Sequence, residues 1–169
     1  QWNSYSDQEL TESDAIIRYN YIEKNLEDGI CCEGEENFTR IEKNHHICNN
    51  RKSGVKASDS AQIKIVNNDI FSNFGQGILL VDTASALIEK NKIFRNYKAN
   101  IAYGGNFSAD TLILNNRIFQ SRSEGIFAIE CGFSWIKHND YTITATASSS
   151  STPVTTFLII KYVKTKDQA

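Results

Sequence analysis

The chain has 169 residues, 40% of them apolar and 22% charged, enough for one globular domain with its own core and too few for two. A formal net charge of −2 gives no reason to expect nucleic acid or an anionic membrane as a partner, because neither would gain from counterion release. The longest apolar run, Phe157-Leu158-Ile159-Ile160, falls far short of the roughly 20 residues of a membrane span.

Residues 1–14 read as an irregular lead-in, and an opening of Gln1-Trp2-Asn3 with no Met reads as a trimmed or partial chain. Over residues 15–141 one phrase, Ile-x-x-Asn-x-Ile, keeps returning. It stands at Ile17 to Ile22, Ile65 to Ile70, Ile88 to Ile93 and Ile113 to Ile118, with looser copies at Ile41 to Ile47 and Ile136 to Tyr141. Its Asn falls at 20, 44, 68, 91, 116 and 139, in steps of 24, 24, 23, 25 and 23. A second phrase follows nine or ten residues later, as Gly29-Ile30, Gly54-Val55, Gly77-Ile78, Asn100-Ile101 and Gly125-Ile126.

This period predicts an all-β right-handed parallel β-helix of about six coils, each of 23–25 residues. Each coil would hold two or three short strands, paired with the same strands of the next coil about 4.8 Å away. Ile17, Ile41, Ile65, Ile88, Ile113 and Ile136 are expected to stack inside. Ile22, Ile70, Ile93 and Ile118 would form a second ladder, and Ile30, Val55, Ile78, Ile101 and Ile126 a third. The Asn column is expected at a corner, each amide bonding those above and below, with Asn25, Asn73, Asn96 and Ser121 doing the same at the next. Asn100 in the glycine column suggests a left-handed corner there, since Asn tolerates positive φ best after Gly. The extra residue around His45-His46 calls for a bulge. A helical period fails because Gly and Asn interrupt every window, and a leucine-rich repeat fails for want of its Leu signature. Residues 142–169 form a Ser/Thr-rich segment through Ser148–Ser151 and a C-terminal strand, either an end cap or a linker.

With the repeat established, Ile88-Glu89-Lys90-Asn91-Lys92-Ile93-Phe94-Arg95-Asn96 and the run from Asn68 to Ile78 resemble repeats of the pectin-lyase-like superfamily. They resemble especially the Asn-rich repeats of β-helix F-box and NosD-like proteins. The resemblance covers roughly residues 12–141. It implies the fold, while the superfamily's functions range from polysaccharide lyases to non-catalytic recognition domains. Neither an F-box nor a zinc finger is visible, so ubiquitin-ligase membership does not carry over.

Candidate sites follow from the register. Glu35, Asp59 and Asp82 each stand nine residues before a repeat Asn, which would stack three carboxylates on one ridge. Such a row calls for a cation, a basic partner or raised pKa values; alternatively, its members are Asx-type corners bonded to the backbone. Phe71, Phe94 and Phe119 share the position after the repeat Ile. If they face solvent they form an apolar patch for a protein or a sugar; core is preferred, because three stacked exposed Phe side chains would be a liability. Tyr19, Tyr21, Tyr97 and Tyr103 are further aromatic candidates. His45 and His46 beside Cys48 lack the ligands a metal needs, and the bulge accounts for them. Cys31, Cys32, Cys48 and Cys131 show no metal spacing and read as reduced thiols. They favour a cytoplasmic or cytoskeletal assembly, while sequons at Asn37 and Asn106 point weakly outside the cell.

No residue set forms a catalytic constellation or a metal site, and no cofactor is implied. The expected function is a non-catalytic module for protein–protein interaction or scaffolding within a larger protein or assembly. The rival is a carbohydrate-active or carbohydrate-binding β-helix using the acidic ridge, for which Ca²⁺ would be the cofactor.

Overall fold

A computed structural model describes residues 15–35, 38–105, 110–131, 134–142 and 158–163, and every regular element among them is a strand. The lead-in, the sequon residues Asn37 and Asn106 and the Ser/Thr-rich stretch lie outside the described residues. The strands sort into three parallel sheets of six. The first sheet holds Ala15–Arg18, Phe38–Glu42, Gln62–Val66, Ser85–Glu89, Thr111–Leu114 and Ser134–Lys137. The second holds Tyr21–Glu23, His46–Cys48, Asp69–Phe71, Lys92–Phe94, Arg117–Phe119 and Asp140–Thr142. Ile30–Glu33, Val55–Ser58, Ile78–Leu80, Ile101–Gly104, Ile126–Cys131 and Leu158–Val163 make the third. The chain visits the sheets in turn and climbs one strand per circuit, giving six levels and about five turns.

Register follows the isoleucines. Ile17, Ile41, Ile65, Ile88, Ile113 and Ile136 lie level with one another through five strand pairs, and the middle four are fully buried. Within each long strand the side chains alternate inside and outside, as the two-residue period requires. A fully buried Ile contributes about 1.5–3 kcal/mol, so the stacked column is a principal source of stability. The last strand enters the third sheet against Ile126–Cys131, with Ile126 opposite Leu158.

The first corner is closed by amides. In Asn68, one Nδ2 hydrogen goes to the Ile41 carbonyl (2.8 Å) and the other to Asn91 Oδ1 (3.0 Å). Its own Oδ1 accepts from the Asn44 backbone N–H (3.0 Å) and from Asn44 Nδ2 (2.9 Å). The pattern repeats from Asn20 to Asn139, so buried polar groups find partners at every step. The residue before each of these Asn is left-handed: Tyr19, Lys43, Asn67, Lys90, Asn115 and His138 have φ between 52° and 60°. Two of the six, Asn67 and Asn115, are the residue type that tolerates this backbone best, so the ladder over-determines the strain of the others.

Two expectations about the second corner are corrected. Its ladder runs Asn25, Asn50, Asn73, Asn96; Asn50 takes part (Asn25 Nδ2 to Asn50 Oδ1 2.8 Å, Asn50 Nδ2 to Asn73 Oδ1 2.9 Å), and Ser121 does not continue it. Nor are Gly29, Gly54, Gly77 and Asn100 left-handed; the positive φ values sit at Lys24, Asn49, Ser72, Arg95 and Gln120. Glycine is required there for closeness. A Cβ on Gly77 would lie 2.5 Å from the Asn100 carbonyl oxygen and 2.6 Å from Asn96 Nδ2. At the next level the small Ser121 leaves room, and Asn100 swings its side chain into it. Asn100 Oδ1 accepts from Asn96 Nδ2 (2.9 Å), and its Nδ2 donates to the Phe119 carbonyl (3.1 Å).

The extra residue of the second coil is His45. The N–H groups of His45 (3.0 Å) and His46 (3.5 Å) both point at the Asn20 carbonyl, so two residues oppose one as in a bulge.

Candidate functional site

Three-residue strands leave the second sheet one inward position each, occupied by Ile70, Ile93 and Ile118, and turn the flanking residues outward. Phe71, Phe94 and Phe119 therefore face out, half-buried, against the expectation of core. What makes this tolerable is the way the rings cover one another. Phe71 and Phe94 stack with centroids 4.8 Å apart at 11°, and Phe94 and Phe119 at 4.7 Å and 6°. The Arg117 guanidinium lies over Phe119 at 5.1 Å and His46 abuts Phe71 edge-on at 5.3 Å, closing both ends. His46 meets Tyr21 edge-on (5.2 Å), and His45 stacks on Tyr21 (5.0 Å), so the aromatic strip extends to the first level. On the same face Asp69 reaches Lys92, and Arg117 reaches Asp140, each at 3.8 Å.

The following corner carries a second outward column that the sequence reading missed apart from Tyr97. Backbone bonds from Arg51 to Asn25, Phe74 to Asn50, Tyr97 to Asn73 and Arg122 to Asn96 place Leu26, Arg51, Phe74, Tyr97 and Arg122 at equivalent positions. Leu26, Phe74 and Tyr97 are 70%, 62% and 57% exposed, and Arg122 covers the Tyr97 ring at 5.2 Å. The column mixes residue types, so no repeat betrays it; the cue is its constant place one residue after the second Asn. A further apolar column, Leu87, Leu112 and Trp135, runs along the outside of the first sheet, where Lys137 sits 3.3 Å from the Trp135 ring.

The acidic row is shorter than the spacing suggests. Strand register carries Asp59 onto Asp82, both exposed and left-handed (φ 52° and 56°), beside a Ser60–Thr83 hydroxyl pair at 2.5 Å. Counting on from Cys32 opposite Ala57, and from Tyr103 opposite Leu80, glycines fill the adjoining levels: Gly34 below Asp59 and Gly105 above Asp82. Glu35 is exposed and stands one residue further along a longer turn. Backbone bonds close these turns, from Ala61 to Ser58 and from Ala84 to Val81. Among the described residues, no three His, Cys, Asp or Glu side chains gather closely enough to hold a metal ion.

Cys31, Cys32 and Cys48 are each shifted toward the protonated form. Burial, then the hydrogen bond and charge of Glu33, pushes Cys31 up to about 11, with its Sγ 3.2 Å from Glu33 Oε1. Burial raises Cys32, and burial followed by Glu23 raises Cys48. A nucleophilic cysteine needs the opposite shift, so this set offers no thiolate chemistry near neutral pH.

Comparison with curated proteins gives no significant match, and comparison with solved structures gives none. A family model described as a right handed beta helix region matches residues 9–152, most of the chain, and fits the coil order and register seen here. The solenoid is consistent with the pectin-lyase-like superfamily, and the chain belongs to the right handed beta helix family.

Proposed function

We propose that this β-helix is a non-catalytic module that binds a protein partner through the outer face of its second sheet, as one part of a larger protein or assembly. The observation that carries the reading is the closed stack of Phe71, Phe94 and Phe119. Rings stacked on one another present their edges outward, whereas a sugar ring packs on an aromatic face. Ring edges beside exposed Phe74 and Tyr97 form an apolar ridge of the kind that another polypeptide's side chains cover. The carbohydrate reading has less behind it. Asp59 and Asp82 lie on one ridge, stacked side by side, while glycosidic cleavage uses carboxylates flanking the scissile bond.

The test is photo-crosslinking in the source cells, with p-benzoylphenylalanine replacing Phe94 or, on the first sheet, Leu87. The expected result is a discrete polypeptide adduct from position 94 and none from position 87. No adduct at 94 would refute it, as would turnover of pectate or alginate, with Ca²⁺ present, that Asp59→Ala or Asp82→Ala abolishes.

A further inference from the structure

The side of the solenoid that carries the aromatic ridge also carries a local surplus of positive charge over its middle levels. Residues 45–54, 69–77, 92–100 and 117–125 supply the second sheet and its following corner at four successive levels. They contain seven cations, Arg51, Lys52, Lys92, Arg95, Lys98, Arg117 and Arg122, against the carboxylates Asp69 and Glu124, whereas the first level adds Glu23, Glu27 and Asp28 against Lys24 and the last adds Asp140, so the surplus is confined to these four levels. That surplus of five positive charges stands on a chain of formal net charge −2, so the remaining residues carry −7. All seven cations are exposed. Lys52 pairs with Glu27, Lys92 with Asp69 and Arg117 with Asp140, whereas Arg51, Arg95, Lys98 and Arg122 form no ion pair among the described residues.

We infer that this face docks an acidic polypeptide segment whose apolar side chains lie on the aromatic ridge and whose carboxylates meet the cations beside it. The inference rests on the protein-binding reading and adds the chemistry of the partner. Charge complementarity is the first ground: a basic face on an otherwise acidic body attracts a short acidic stretch and repels a negatively charged neighbour elsewhere. Ring geometry is the second. An aromatic edge is electropositive where its face is electronegative, so the edges of Phe71, Phe94 and Phe119 carry the same sign as the guanidiniums around them. A carboxylate is welcome at both. A nucleic acid also seeks positive charge, but it stacks its bases on ring faces, and here those faces are occupied by neighbouring rings, by His46 and by Arg117. The cations stand at three of these four levels, Arg51 and Lys52 at one, Lys92, Arg95 and Lys98 two levels on, and Arg117 and Arg122 at the next, and levels about 4.8 Å apart lie within reach of side chains along an extended peptide.

Fluorescence anisotropy of the full chain tests this with four labelled probes: a peptide of alternating Glu and Leu, its Lys–Leu counterpart, oligodeoxythymidine and an oligogalacturonate. Only the Glu–Leu peptide is expected to bind, with affinity falling as salt is raised from low to high. Arg95→Glu with Arg122→Glu should weaken it roughly tenfold or more at unchanged circular dichroism, while Lys64→Glu on the first sheet should change it little. Absence of Glu–Leu binding, or equal binding of oligodeoxythymidine or the Lys–Leu peptide, would overturn the inference. If position 94 still crosslinks to a polypeptide whose contact segment is not acidic, protein binding survives and the acidic partner does not. If crosslinking fails as well, both fall.

Discussion

The first and second corners of the solenoid solve one problem in two ways. Both must turn the chain sharply at every level while burying its polar groups, and both place a left-handed residue before a stacked Asn. The first corner does so with the same residue six times, from Asn20 to Asn139. At the second the series stops at Asn96, and Asn100 supplies the missing amide from elsewhere in the chain. What is required at a corner is thus an amide in a given place, with donors and acceptors matched, and the position in sequence that delivers it is free to change.

The largest effect is expected where the ladder is complete. Asn68→Asp replaces two donated hydrogen bonds with an oxygen facing the Ile41 carbonyl and Asn91 Oδ1, in a site without solvent. The cost should be roughly 4 kcal/mol or more, read as a fall in the urea midpoint or as loss of folded protein. At the second corner two levels further on, where the ladder has ended, Ser121 Oγ donates to the Lys98 carbonyl at an exposed site, so Ser121→Ala should cost about 0.5 kcal/mol or less. Equal costs at the two positions would show that the amide stack is not what closes the corner.

The patched level offers a sharper test. Asn100→Gly removes an acceptor for Asn96 and a donor to the Phe119 carbonyl, and should cost about 2 kcal/mol in urea unfolding. Ser121→Asn alone puts a second amide where the Asn100 side chain lies and should also destabilise, by about 1–2 kcal/mol. Together the changes restore the arrangement of Gly77 beneath Asn96, and the double variant should return to within about 0.5 kcal/mol of the parent. Simple additivity would mean that Asn100 is not a surrogate rung.

These cases mark what the sequence reveals and what it hides. A coil of 23–25 residues and inward isoleucines are legible because identical residues recur at a fixed interval and must stack. Asn50 escapes notice because His45 displaces it by one, and Asn100 because it occupies a column otherwise filled by glycine. Glu35 shares its spacing to the next Asn with Asp59 and Asp82, yet a longer turn gives its level to Gly34, since loop length alters register without altering the period. The direction of Phe71, Phe94 and Phe119 follows from parity, because each comes next to an inward Ile. Reasoning from their apolar character alone sends them inside, as it omits the shelter of mutual stacking and of Arg117. The ridge of Leu26, Phe74 and Tyr97 has no common residue at all, and only three-dimensional alignment gathers it.

The smallest effect compares the left-handed residues that precede the ladders. Lys43, at φ 52°, carries a Cβ in a conformation that costs an ordinary L-residue about 1–2 kcal/mol, and its side chain is exposed. Replacing it with glycine removes that strain but adds freedom to the unfolded chain, which returns about 0.5–1 kcal/mol of the gain. Lys43→Gly should therefore stabilise by about 0.5 kcal/mol, seen as a small rise in urea midpoint at constant slope. Asn49 holds the corresponding place at the second corner, at φ 54°, and Asn already tolerates it by bonding locally, here through Nδ2 to Cys48 Sγ at 3.4 Å. Asn49→Gly should bring no gain and should cost a few tenths of a kcal/mol. A matching gain at both positions would mean that the strain lies in the corner itself, whichever residue occupies it. A gain at Lys43 alone would show that the ladder holds an unsuited residue in place at the first corner, where the second has a residue that fits.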